Sequence, residues 1–232
     1  MDKFSYYDTL SNLIPGIIFL WALSVLGPFS TNGLSLILTG NVIVDPILFL
    51  AIAYLVGHLL QFLSKYSIEV IIKRLFWNGY FFSEIFLVAG YRKCNETELN
   101  RYLAYSENEL KIERESINLL HDPATISDEA KRKVATGISQ TIYRIIDAKS
   151  SDTSKGQKAQ LQNIFHSFFR NFAMVFLILG VLDLLSLVIH PAEMTLKLLG
   201  TAILNILLMG IFLYQAKQRG EYYIKGLFWS NA

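Results

Sequence analysis

Asp183, in LGVLDLLSLV, and Asn205, in TAILNILLMG, each sit near the middle of a long apolar run. An ionisable side chain at mid-bilayer costs about 2.5–3.5 kcal/mol on insertion scales, so it needs a partner or water. The two lie at similar depth on either side of a turn near Ala192, which predicts a hydrogen bond between them, within one chain or between neighbours. Such a pair either fixes helix contacts or lines a water-filled path that Asp183 makes favourable to cations. A second polar set, Tyr54, His58, Gln61 and Lys65, recurs at intervals of four, three and four residues and so shares one helix face. His58 is then turned from lipid, either satisfied by Gln61 or part of a polar lining that responds to pH near neutrality. Phe165, Phe169, Phe172 and Phe176 share the Asp183 face. An aromatic stripe either packs a helix or forms a constriction that gates by dewetting, which makes Phe169, Phe172 and Phe176 gate candidates.

Enzymatic chemistry has little to stand on. The four histidines, His58, His121, His166 and His190, are scattered, and none lies three to five residues from another. With one cysteine, Cys94, there is no zinc-binding spacing and no internal disulfide, in keeping with a reducing cytoplasm. The sequence has no phosphate-binding loop, dinucleotide fingerprint or nucleophile elbow. No catalytic residue, metal or cofactor is expected.

The elements that position the polar residues are apolar helices. Of 232 residues 53% are hydrophobic, and the mean hydropathy is +0.38. The excess clusters in four charge-poor windows, 13–29, 46–64, 171–190 and 196–214. Each is about the roughly 20 residues that cross a bilayer. The fold class expected is all-α: an integral membrane protein with four transmembrane helices in two hairpins and a helical cytoplasmic insert between spans two and three. Lys and Arg set the orientation. The connection 30–45 has none, PAEMTLK has only Lys197, and the region 65–167 has fifteen. Both termini and the insert are therefore expected inside. The divisions are 1–64, 65–167, 168–216 and a basic-aromatic cytoplasmic tail, 217–232. Near the start, Ser11 or Asn12 caps a helix with Pro15 in its first turn, or the helix begins near Ser5 and bends at Pro15-Gly16. Either way Asp8 and Asn12 face the cytoplasm, placed to ring an inner mouth if chains assemble around an axis.

Span two is expected to continue as a helix to Trp77, with Lys65, Glu69 and Lys73 supporting it at four-residue spacing. Asn78-Gly79 marks a turn. Residues 80–90 are apolar but too short to span. Asn95 and Glu98 resemble a capping box for a helix of 97–121, Ser127 caps one of 128–149, and the helix from Lys158 runs into span three. Arg170 is placed to snorkel at the inner boundary. Lys131, Arg132 and Lys133, with Arg144 and with Lys217 and Arg219 of the tail, are candidates for holding a phosphate-bearing ligand. Most such charges are solvated or paired, and the tail's mixture of basic and aromatic residues also reads as an interfacial anchor.

The leader YYDTLSNLIPG, the two charge-poor hairpins, the Asp183-bearing third span and the tail RGEYYIKGLFW together resemble small membrane effectors of bacterial anti-phage defence operons. The nearest is the channel effector of Hailong systems, with the membrane component of Kiwa systems second. The resemblance implies a homo-oligomeric ion channel of the bacterial inner (plasma) membrane. It implies a channel held shut by single-stranded DNA oligomers made by a partner nucleotidyltransferase. The expected partners are thus the lipid bilayer, further copies of the chain (a tetramer, for instance), a nucleotidyltransferase or other operon partner, and a nucleotide or DNA ligand. The alternatives are a non-conducting membrane sensor or scaffold that recruits a cytoplasmic enzyme, and a small transporter.

Overall fold

The structure, a computed structural model, describes residues 9–26, 44–88, 96–125, 127–150, 153–189 and 196–231. Every regular element in these residues is helical. A π-helical turn, Thr9–Leu13, leads into α1 (Ile14–Leu26). Helix α2 (Val44–Tyr66) is followed by α3 (Ile68–Phe76), and hydrogen bonds from Ser67 N to Leu63 O and from Ile71 N to Ser67 O carry the ladder across the junction. Then come α4 (Phe82–Ile85), α5 (Glu96–Asn108), α6 (Arg114–His121), a 3₁₀ turn at Pro123–Thr125 and α7 (Glu129–Ser150). Two 36-residue helices, α8 (Ser154–Ile189) and α9 (Leu196–Asn231), complete the chain.

Three helices are long and apolar enough to cross a membrane: Val44–Phe76, Ser154–Ile189 and Leu198–Trp229. They take in the expected window 46–64 whole, 171–189 of the window 171–190, and 198–214 of the window 196–214. The apolar helix over Thr9–Ser24 is shorter, and the last residues of the window 13–29 lie outside the described residues, as do Asp8, Cys94, Asn95 and His190.

The chain divides into two compact units. A span unit comprises Met1–Ile71 with Ile164–Lys217, and an insert unit comprises Ile72–Asn163 with Gln218–Ala232. In the span unit α1 crosses α2 at backbone contact. A Cβ on Gly16 would overlap the Ala53 carbonyl oxygen, and one on Gly57 would overlap the Asn12 carbonyl oxygen. Small residues allow this approach, the usual device where helices pack without a hydrophobic drive.

The core of the insert unit is aromatic. Phe86 packs against Phe82, Tyr102 and Phe228 at ring separations of 5.1–5.7 Å, and Leu99, Leu120, Ile142 and Leu227 are buried with them. Residues 80–88 therefore pack within the insert unit, where Ser139 Oγ donates to the Ser83 carbonyl. The basic-aromatic tail is helical. It is the last turns of α9, and Leu227 and Phe228 are fully enclosed.

Other local expectations change. The helix of 97–121 is two helices, parted by a turn in which Lys111 adopts a left-handed φ of 54°. Asp128, not Ser127, caps α7, its Oδ1 accepting from Ala130 N and Lys131 N. Ser127 Oγ turns back to the Ala124 carbonyl. The turn at Asn78-Gly79 is present, both residues having positive φ. Helix α8 begins at Ser154, a turn before Lys158, with Thr153 Oγ1 accepting from Gly156 N.

Candidate functional site

A group of charged and polar side chains that the sequence does not single out meets within the span unit. Arg170, 7% exposed, is not a snorkelling residue. Its Nη1 donates to Glu69 Oε2 at 2.9 Å, and its Nε donates to Ser64 Oγ at 3.3 Å. Ser64 Oγ donates in turn to Asn171 Oδ1 at 2.5 Å, and Asn171 Nδ2 donates to the Ser11 carbonyl. One chain of polar contacts thus ties the π-helical turn, α2, α3 and α8. Glu69, expected to pair with Lys65 and Lys73 along its own helix, is turned to Arg170 instead.

This network borders an open cleft of about 460 Å³ lined by His58, Gln61, Phe62 and Lys65 of α2, Glu69 of α3, and Ser167 and Arg170 of α8. Three of the four stripe residues therefore line it. The fourth, Tyr54, packs edge-on against His58 with ring centroids 4.5 Å apart. The amide of Asn12 lies 3.5 Å from His58 Nδ1. A donating amide makes Nδ1 the acceptor and leaves the proton on Nε2. Asn12 itself is fully buried in the π-helical turn, against Gly57. Within one chain it neither caps the helix nor faces outward.

Asn205 Nδ2 donates to Asp183 Oδ2 at 2.9 Å within the chain. Both residues are buried, at 5% and 7% exposure. The expected hydrogen bond is present, and it turns the carboxylate toward α9 rather than outward. The phenylalanine stripe also faces α9. Phe172 and Phe176 stack on Phe212 at 5.1 and 5.4 Å, and Phe169 reaches the same ring at 6.0 Å. Within one chain these gate candidates are packing residues.

The six basic ligand candidates have separate local surroundings. Lys131 pairs with Asp122 at 3.4 Å, and Arg132 lies over the Tyr80 ring. Lys133 and Arg144 are exposed on α7. Arg219 Nη1 donates to Gln162 Oε1 at 3.0 Å, and Lys217 lies over Tyr214. The insert unit has instead a phenol relay that the sequence did not single out. Tyr143 OH donates to Tyr223 OH at 3.2 Å, which donates to Asp147 Oδ1 at 2.9 Å, and Gln160 Nε2 donates to the same oxygen. Burial pushes the Tyr143 phenol above its ordinary pKa, the Tyr223 bond offsets part of this, and the Asp147 charge adds to the rise.

No known protein family, curated protein or solved structure matches the chain at significant similarity.

Proposed function

We propose that the chain is a homo-oligomeric, ion-conducting protein of the bacterial inner membrane. In this reading it acts as an effector in anti-phage defence, gated through the insert unit by a nucleotide or oligonucleotide ligand or by a partner protein. The membrane arrangement is four spans, with 13–29 as the first, and both termini and the insert in the cytoplasm. The observation that carries conduction is the polar stripe of α2. Tyr54 remains 37% exposed on a helix that also exposes Leu50, Leu55, Leu59 and Phe62. Polar groups left facing hydrocarbon are costly, and a water-filled axis shared by several copies relieves that cost. Four spans with so few polar residues cannot enclose a wide pore alone, so the pore is a property of the assembly. The defence role rests on the family resemblance.

The test is flux. Full-length protein in liposomes under an imposed potential is expected to pass ions above the empty-liposome rate, and Tyr54→Leu with His58→Leu is expected to reduce that rate. No flux, with or without single-stranded DNA oligomers or a co-purifying partner, would overturn the reading.

A second reading is a non-conducting membrane scaffold. It is favoured by the closed Asp183–Asn205 pair and by the stacking on Phe212, which use the other polar and aromatic candidates for internal packing. Asp183→Leu separates the two. Altered conductance in an intact assembly supports a lined pore, and loss of assembly without any conductance supports the scaffold.

A further inference from the structure

Two charge-poor windows end independently at one cleft. The window 46–64 stops at Lys65, and the window 171–190 begins directly after Arg170. Both side chains line the same opening. The ends of membrane spans lie at the level of the lipid phosphates, where Lys and Arg are drawn to anionic headgroups.

The charges in the cleft do not cancel. Arg170 and Glu69 form a close ion pair and offset one another. Among the described residues Lys65 has no carboxylate within ion-pair distance, so one positive charge is left over. Ser167, only 5% exposed, and Gln61 add polar lining, and Phe62, 57% exposed, forms an apolar flank. The volume of about 460 Å³ falls within the roughly 300–1,000 Å³ of small-molecule sites.

Each feature selects the occupant. One excess ammonium beside a neutralised pair suits a single negative charge. An apolar flank on a membrane helix suits a group that carries an acyl chain, which inorganic phosphate does not. A zwitterionic lipid brings its own ammonium and gains less from Lys65. We propose that this cleft between α2 and α8 binds the phosphodiester of an anionic phospholipid, with Lys65 as its principal charge partner and the Glu69–Arg170 pair as the wall that holds the opening in shape. A headgroup seated there stands at the inner end of the α2 stripe. The assignment rests on the membrane placement of α2 and α8 and not on conduction. A chain that passes no ions can still bind the lipid, and a conducting chain can fail to.

Native mass spectrometry of the full-length protein in detergent tests it, with phosphatidylglycerol, phosphatidylcholine or sodium phosphate titrated in. Phosphatidylglycerol is expected to bind more tightly than phosphatidylcholine. Lys65→Gln is expected to weaken it roughly fivefold, the effect of one lysine near an anionic surface. Glu69→Gln is expected to strengthen it, because the variant removes a negative charge from the cleft lining. Lys155→Gln, exposed in the first turn of α8 within the insert unit, is expected to change nothing. The proposal is overturned by equal binding of the two lipids, by unchanged binding in Lys65→Gln, or by an equal loss in Lys155→Gln. It is also overturned if sodium phosphate binds as well as phosphatidylglycerol.

Discussion

Arg170, out of water, is met by Glu69 and Ser64. A buried charge is tolerable when paired and hydrogen-bonded, and removing one partner leaves the other uncompensated at a cost of about 3–5 kcal/mol. Glu69→Ala is therefore expected to destabilise the span unit by about 3 kcal/mol, read as denaturant unfolding in detergent. Arg170→Met combined with Glu69→Leu is expected to recover most of the loss. A loss under about 1 kcal/mol for Glu69→Ala would mean that the pair behaves as a solvated surface bridge. The sequence hid this pair for a physical reason. Helical spacing offers Glu69 two nearer cations, Lys65 and Lys73, and only the tertiary packing of α8 brings in a partner 101 positions away. Asp183 and Asn205 were legible, because a hairpin turn fixes their relative depth whatever else the fold does.

At the scale of elements, the crossing of α1 on α2 depends on two missing side chains. Gly57→Ala places a methyl group on the Asn12 carbonyl oxygen, and neither backbone can yield without parting the helices. Overpacking of this kind costs about 1–3 kcal/mol. Gly210→Ala is the control, since a Cβ there meets nothing and alanine is the better helix former by about 1 kcal/mol. Thermal unfolding in detergent is expected to show Gly57→Ala below wild type and Gly210→Ala at or above it. Equal midpoints for the two variants would contradict the close crossing. The long apolar helices were legible because twenty uncharged residues leave little choice. The break between α5 and α6 was not. It passes through Lys111 in a stretch with neither glycine nor proline, and the left-handed turn is closed by Ile112 N donating to the Ser106 carbonyl.

The whole molecule consists of two units that share their longest helices by sequence, since the divisions fall inside α3, α8 and α9. The end of α9 supplies Leu227 and Phe228 to the core of the insert unit. Basic residues interleaved with aromatics read equally well as a membrane anchor or as the surface and core faces of one helix, and only burial tells them apart. Phe228→Ala is expected to cost the insert unit about 3–5 kcal/mol, seen as faster protease cleavage within 96–150 while the spans stay intact. Unchanged cleavage would return the tail to an anchoring role.

Everything proposed for the stripe and the cleft presupposes a chain threaded through a bilayer with its charged middle on the cytoplasmic side. Single cysteines at Asn32, Lys133, Arg144 and Met194, introduced with Cys94→Ser and probed in intact cells with a membrane-impermeant maleimide, test this directly. Asn32→Cys and Met194→Cys are expected to label from outside, and Lys133→Cys and Arg144→Cys only after the membrane is opened. Labelling of Lys133→Cys or Arg144→Cys in intact cells, or recovery of the protein in the soluble fraction without detergent, would contradict the arrangement.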